Sequence, residues 1–404
     1  MNIPSSVTAI DMYAFYDCIG LKTVTWNAKN CADFTSSVYA PFSTSKNINS
    51  FTFGDEVEKI PSFLCYGMSG LTDVNIPESV TTIGDQAFAN CGGITELTWN
   101  AVECSTKGNM PTNNIEHVTI GNKVKTLPFG FLSGSKITVV TIPESIIKIG
   151  NNAFYGCSGL TSVTIPENVD SIGGQAFAGC SNITKLTWNA INCETNGGMT
   201  TNNIEDVTIG DKVKTLPSGF LNGSKIIAIT IPESVIKIGN GAFYGCYNLT
   251  TVTIPASVTI IGTGAFYSCH NLTSVNIPTL VTVIEDRTFY DCSNMTSITI
   301  PQSVNQIGNY AFYGCHGLTN VVIPNSVTSI GEGAFCDCNS LAEVVVGKYV
   351  TQISDELFRN CSSLTNVNIP ESVNHIGTRA FASCSALTNV TSPSRAFARS
   401  TRPS

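Results

Sequence analysis

The sequence predicts an α/β repeat solenoid of about 17 units, and three observations predict it. The dipeptide Ile-Pro recurs every 23 residues at Ile231-Pro232, Ile254-Pro255, Ile277-Pro278, Ile300-Pro301 and Ile323-Pro324. It is replaced by Val346-Gly347 and returns at Ile369-Pro370. A cysteine keeps the same beat at Cys246, Cys269, Cys292, Cys315, Cys338, Cys361 and Cys384. Between these markers apolar and polar residues alternate, as they do along a strand with one buried face.

The stretch Leu160 to Cys180 serves as the type unit. Leu160, Val163 and Ile165 are apolar, and Ser162 and Thr164 between them are polar. This alternation predicts a short strand. Pro166 has no N–H for a ladder and ends it. Val169 and Ile172 read as a second short extended piece, and Gly173 permits a turn. Ala176, Phe177 and Cys180 fit one inward-facing turn of α- or 3₁₀-helix. One unit cannot bury its apolar face alone, so neighbours must stack into a continuous core with parallel strands about 4.8 Å apart.

Strand anchors fall at Ile3, Trp26, Phe53, Ile76, Trp99, Ile120, Ile142, Ile165, Trp188, Ile209, Ile231, Ile254, Ile277, Ile300, Ile323, Val346 and Ile369. Spacings of 21, 22 and 27 interrupt the beat, and they are themselves repeated. Leu97-Thr-Trp99-Asn-Ala101 returns as Leu186-Thr-Trp188-Asn-Ala190, 89 residues later, which points to a duplicated block. Trp26-Asn-Ala28 is a more divergent copy. These Trp units lack the Ala-Phe segment and carry polar stretches (residues 105–114 and 195–203), where irregular loops are expected. The organisation expected is one solenoid over 1–391. Irregular Trp-containing units lie within 20–141 and 183–230, and regular units fill 231–391. Residues 392–404, with Arg395, Arg399 and Arg402, form an incomplete repeat or a tail.

Composition excludes several functions. Charged residues make up only 12%, and the formal net charge is −8. An acidic chain is a poor partner for nucleic acid or anionic lipid. No run of 18 apolar residues exists to span a membrane. The opening Met-Asn-Ile-Pro-Ser-Ser enters the repeat at once, with no charged n-region and no apolar h-region. An exported chain would therefore have its signal removed or outside these residues.

The run Ile-Pro-x-Ser-Val-x-x-Ile-Gly-x-x-Ala-Phe-x-x-Cys-x-x-Leu-Thr-x-Val resembles the BspA-like leucine-rich repeat family. Ile142 to Val163 and Ile231 to Val252 match it almost position by position. The resemblance covers about residues 1–391. It implies a right-handed solenoid with a parallel sheet on one face and short strands, turns and single-turn helices on the other. It also implies a cell-surface or secreted protein linked to adhesion and host interaction. The family has no shared catalytic motif, so no catalytic residue carries over.

The candidate chemistry is sparse. Eleven of the 16 cysteines stand on the ladder position. One thiol per layer cannot build a closed zinc site, and stacked equivalents point the same way, which disfavours disulfides. Buried free thiols acting as small hydrophobes are expected, with Gly134, Gly223 and Met68 taking the ladder position in divergent units. Cys31, Cys65, Cys104, Cys193 and Cys336 lie off the ladder and are read as packing residues, with loop-facing thiols as the alternative. The four histidines form no close metal-binding pair. Trp26, Trp99 and Trp188 occupy inward anchor positions and read as core, with exposed binding platforms as the alternative.

The outward strand positions form a hydroxyl and amide surface, which cannot supply the converging ionisable groups that acid–base catalysis needs. Candidate binding residues on this face and in the irregular units are Asp73, Glu96, Thr98, His117, Thr119, Ser162, Thr164, Lys185, Thr187, Asp206 and Thr208. The sequence points to a non-enzymatic extracellular binding or adhesion module. Its ligand would be a protein or a glycan, host matrix included, with no cofactor, no metal and no membrane insertion. A structural spacer carrying a separate functional domain is the alternative. So is a cytoplasmic location, because 16 cysteines without a disulfide framework are unusual in an exported protein.

Overall fold

Pro and Gly after the anchors decide where the strands stop. The computed structural model describes residues 1–106, 113–195, 199 and 202–391. The expected loops at 105–114 and 195–203 lie largely outside these residues, and the tail 392–404 lies wholly outside them. Two compact units divide the chain, Met1–Lys225 and Ile226–Ser404. Each is a parallel-strand β-solenoid, and about 16 turns are present where 17 anchors were counted.

In the first unit, Asp73–Ile76, Glu96–Trp99 and His117–Ile120 form one three-stranded parallel sheet. Ser162–Ile165, Lys185–Trp188 and Asp206–Ile209 form another. Registers align the anchors, Ile76 with Trp99 and Ile120, and Ile165 with Trp188 and Ile209. Asn2–Ile3, Thr23–Trp26 and Ser50–Phe53 make a third sheet of the same kind. Ile142 joins no strand, so the first face is interrupted at that layer. Two-residue strands such as Lys148–Ile149 and Ser171–Ile172 pair along a second face.

In the second unit the first-face strands are three residues long: Ala228–Thr230, Thr251–Thr253, Ser274–Asn276 and Ser297–Thr299 in one sheet, and Asn320–Val322, Glu343–Val345, Asn366–Asn368 and Asn389–Thr391 in another. Where two neighbouring layers both read Ile-Pro, neither proline offers an N–H, so the ladder closes one residue early. Glu343–Val345 is equally short although its layer reads Val346-Gly347. In the first unit, Asn189 N donates to Ile165 O at 2.9 Å and Gly210 N to Trp188 O at 2.8 Å, which carries the ladder through the anchor.

The Ala-Phe-x-x-Cys segment corrects the α/β expectation. It is not helical: among the described residues the only helix is the 3₁₀ turn Ser37–Tyr39. Two residues four apart adopt positive φ, as at Asn152 (56°) and Gly156 (71°), or Tyr310 (54°) and Gly314 (69°). A left-handed residue every fourth position stops any helix from propagating. The segment becomes a ribbon of turns instead. Alternate N–H groups bond three residues back (Tyr155 N to Asn152 O, 3.1 Å) and to the next layer (Phe154 N to Ala176 O, 2.7 Å; Gly156 N to Ala178 O, 2.8 Å). Each layer therefore pairs with its neighbours on this face as well.

The core is a stack of columns. Phe243, Phe266, Phe289, Phe312, Phe335, Phe358 and Phe381 follow one another, each ring stacked on the next at 5.1–5.9 Å. Most anchor isoleucines and the Val and Leu columns close the remaining space and are buried, with Ile120 and Ile369 half-buried.

Candidate functional site

The strand face brings the predicted residues of the first unit into short columns. Asp73, Glu96 and His117 stand side by side in register, and so do Asn75, Thr98 and Thr119. In the duplicated block the corresponding columns are Ser162, Lys185 and Asp206, and Thr164, Thr187 and Thr208. All eleven predicted residues point outward; Thr98 and Thr187 are half-buried and the others exposed. The two blocks carry different charges, acidic-acidic-histidine in the first and an Lys185–Asp206 ion pair at 3.9 Å in the second. Both partners of that pair are mostly solvated, so it fixes little.

Threonines just before the strands are already used, in both units, whereas outward strand hydroxyls are not. The residue before each strand donates to the preceding layer: Thr250 Oγ1 to Ile227 O (3.1 Å), Thr273 to Thr250 O (3.2 Å) and Thr365 to Ala342 O (3.2 Å). A serine column does likewise, with Ser257 and Ser303 donating to Val235 and Val281 carbonyls at 2.7 Å. A polar groove of about 430 Å³ runs beside Asp286, Asn309 and Asp355. Its Asp286, Asn309 and Asp355 side-chain oxygens accept from the backbone N–H of Asn309, Glu332 and Thr378, so they hold the fold rather than a ligand. By contrast, Thr98, Thr119, Ser162, Thr164, Thr187 and Thr208 make no side-chain hydrogen bond among the described residues.

Nine of the eleven ladder cysteines are buried, as expected, while Cys18 is exposed and Cys384 half-buried; several of the thiols are also donors. Cys180 Sγ donates to Phe154 O at 3.0 Å, and Cys292, Cys338 and Cys361 to the Phe carbonyl 26 residues earlier at 3.2 Å. Burial pushes the ladder thiols Cys91, Cys292 and Cys338 up, Cys91 to about 11, and the off-ladder Cys336 to about 12. One assignment changes. Ser135 N and Ser224 N bond to Leu132 O and Leu221 O as the ladder cysteines bond to Phe, so Ser135 and Ser224 hold the ladder position. Gly134 and Gly223 instead supply the positive φ next to it (72° and 71°). Met68 does hold the position in its layer, bonded to Cys65 O. All five off-ladder cysteines are buried, which supports packing over loop exposure.

The tryptophans are core residues with no exposed area. Trp99 packs edge-on against Phe131 and Trp188 against Phe220, both at 5.1 Å. The indole fills the volume left by the missing Phe of its own unit. The Asn after each Trp explains why the next layer reads Ile-Gly rather than Ile-Pro: a Cβ at Gly210 would sit 2.6 Å from Asn189 Oδ1. His117 is exposed, whereas His270 Nε2 lies 2.9 Å from Asp291 Oδ2. Among the described residues no group of His, Cys, Asp or Glu side chains is arranged to hold a metal ion. No helix among them is long and apolar enough to cross a membrane.

The repeat geometry has a match. A model of the BspA-type leucine-rich repeat region matches residues 1–109, 108–227, 198–319 and 282–399, nearly the whole chain. The chain belongs to the BspA-type leucine-rich repeat family. Among solved structures it is similar to a leucine-rich repeat protein from Bacteroides ovatus (TM-score 0.58, 23% identity, 96% of this chain and 86% of that one). It also matches the Treponema pallidum leucine-rich repeat protein (TM-score 0.40, 36% identity, 41% of this chain and 80% of that one). A third match is a leucine-rich cell surface protein from Faecalibacterium prausnitzii (TM-score 0.38, 24% identity, 97% and 87%). A comparison with curated proteins finds no match. Repeats of this family are typically protein-binding scaffolds.

One feature of this BspA-type chain lies in the regular units of 231–391, where no candidate site residue was placed. Tyr244, Tyr267, Tyr290 and Tyr313 form a second aromatic column beside the Phe column, with rings stacked at 4.7, 4.5 and 4.5 Å. They line a groove of about 710 Å³ with Arg287, Tyr310, Glu356 and Arg359. The signal was present as Phe-Tyr recurring on the 23-residue beat.

Proposed function

We propose that this chain is a non-enzymatic binding module that works at the cell surface or after secretion, and that its strand face in Met1–Lys225 engages an extracellular protein of a host. The observation that carries this reading is the set of unspent hydroxyls. Thr98, Thr119, Thr164, Thr187 and Thr208 stand in rigid register with no side-chain hydrogen bond among the described residues, while the pre-strand Thr95 is bound to Thr72 O; the second unit's strand hydroxyls are equally free, and the charge columns distinguish this face. Groups already ordered by the sheet lose little entropy on binding. The flanking charge columns, Asp73–Glu96–His117 and Ser162–Lys185–Asp206, would set orientation and partner choice. Family membership supports a protein ligand, and the surface location follows what the resemblance implies. The module would remain one solenoid over 1–391.

The test is direct binding of the purified chain to immobilised matrix proteins and mucins by interferometry, with deglycosylated mucin as a control. The variant Thr98→Arg/Thr187→Arg should abolish binding without moving the unfolding midpoint. Loss of signal on deglycosylation alone would make the ligand a glycan. Absence of any binding, or binding indifferent to the two substitutions, sinks the reading.

A further inference from the structure

The tyrosine groove of the second unit has the construction of a peptide-binding site. It lies on the turn face and does not depend on the strand-face reading above. Two columns of the turn ribbon form its walls. One runs Tyr244, Tyr267, Tyr290, Tyr313, Cys336, Arg359; the other, three residues earlier in each unit, runs Gly241, Gly264, Arg287, Tyr310, Gly333, Glu356. Gly241 and Gly264 at positive φ leave the flanks of Tyr244 and Tyr267 open. At Cys336 the aromatic column ends on a small buried residue, and Tyr310 leans over Gly333 to close that end.

The tyrosines are fixed before any ligand arrives. Each ring is held by its stacked neighbours, Tyr310 hydroxyl donates to Glu332, and Tyr313 hydroxyl is bonded to Asp337. Stacked rings present edges and hydroxyls, not faces, so the pyranose-on-face mode of sugar binding is closed here. What remains is a rigid amphipathic strip of the sort that dominates protein-recognition surfaces.

Charge selects the ligand. Arg287, Arg359 and Arg379 are the arginines among the described residues, and all belong to these two columns. Arg359 and Arg379 are committed to Glu356, at 2.9 and 3.6 Å. Arg287 has no carboxylate partner among the described residues and stands exposed beside the Tyr310 ring, 5.9 Å from its centre. Glu356, Glu332 and Asp337 surround the groove, so what distinguishes Arg287 is that it is the arginine left without a carboxylate partner among the described residues. An unpaired guanidinium fits a carboxylate bidentately. Tyr244 to Arg359 spans five layers, about 24 Å, the length of roughly seven extended residues.

We propose that this groove binds an extended acidic peptide segment of a partner protein, with a carboxylate on Arg287 and apolar or aromatic side chains against the edges of Tyr267 and Tyr290.

A random heptapeptide phage library selected on the folded chain tests this. The expected outcome is enrichment of sequences that join Asp or Glu to aromatic residues. A fluorescein-labelled peptide from that pool should bind at least tenfold more weakly to Arg287→Ala and to Tyr267→Ala. Arg287→Glu, a surface change checked for an unaltered unfolding midpoint, should redirect selection to Lys- and Arg-rich peptides. The proposal is overturned if no acidic sequences are enriched, if the same ones survive on Arg287→Glu, or if oligogalacturonate displaces the peptide at lower concentration than the unlabelled peptide does. That last result would make the occupant an anionic glycan.

Discussion

Replacing Cys292 by alanine and, separately, by serine separates two readings of the cysteine ladder. Cys292 has no exposed area, and its Sγ lies 3.2 Å from Phe266 O. That carbonyl also accepts Cys269 N at 3.2 Å, so losing the thiol does not orphan it. Alanine forfeits the buried sulfur, comparable to one methylene at about 0.8 kcal/mol, and a weak hydrogen bond of about 0.5–1 kcal/mol. The expected cost is about 1.5–2 kcal/mol. Serine forfeits the sulfur's volume but keeps a donor aimed at the same carbonyl, so it should cost about 1 kcal/mol. If the thiol were only a small hydrophobe, the order would invert, because burying a hydroxyl without a partner costs about 1–3 kcal/mol.

The assay is urea unfolding followed by far-UV circular dichroism and tyrosine fluorescence together. Repeat arrays can lose two-state behaviour, so the midpoints compare only where the two probes coincide and m is unchanged. Cys315, whose Sγ lies 3.3 Å from Phe289 O, provides a replicate in the same geometry. Natural precedent favours the prediction: Ser135 and Ser224 already stand in this column, and both are buried. Alanine variants as stable as the serine variants, or more so, at both sites would refute the donor role.

Alkaline pH should unfold the chain through the same thiols. In the unfolded chain a thiol titrates near 9.0, whereas burial holds Cys91 near about 11 and Cys104 and Cys193 near about 12. Between those values the unfolded state binds fewer protons, so stability is complete below pH 9 and falls above it, by about 1.4 kcal/mol per pH unit for each such thiol. Urea midpoints measured from pH 8 to 11 should drop steeply, and a flat profile would contradict the burial. Gly210→Ala should cost about 1–3 kcal/mol because its Cβ meets Asn189 Oδ1 at 2.6 Å, and Asn189→Ala should recover part of that loss. Tryptophan emission should be blue-shifted and shielded from acrylamide, since all three indoles are buried; quenching at the rate of free indole would place them outside the core.

The layers were legible because packing and periodicity are the same fact in a solenoid. Val163, Ile165, Phe177 and Cys180 are apolar where they face inward, and every one of them is buried. The turn ribbon was only half legible. Its second positive-φ column holds Gly156, Gly179, Asn90, Ser268, Asp291, Asp337 and Asn360, small or short polar residues of which Gly, Asn and Asp tolerate that geometry best. Its first column holds Gln86, Gln175, Arg287, Tyr310 and Glu356, which carry no such mark. Those residues sit there because the ribbon's bonds to the next layer impose the conformation, as Tyr310 N does on Glu332 O at 2.8 Å. That constraint is non-local and leaves no trace in one unit's sequence. On the candidate strand face, outward orientation could be read from alternation. Which hydroxyls are spent follows the repeat position too, since it is the pre-strand threonines that reach the carbonyl one layer back.

A repeat column multiplies whatever stands at its position. Phenylalanine multiplied along Phe243 to Phe381 yields a core, and threonine multiplied along Thr250, Thr273 and Thr296 yields carbonyl caps. Such uniform columns carry stability, because each layer repeats the same contact with its neighbour. Recognition needs positions that differ from their neighbours. Columns supply these where their identity changes, as in Asp73–Glu96–His117 on the strand face and in Tyr290–Tyr313–Cys336–Arg359 on the turn face. The rigid ladder then serves those changes by holding each side chain at a fixed step of about 4.8 Å. The 23-residue period therefore marks the scaffold, and substitutions within a column mark the candidate sites.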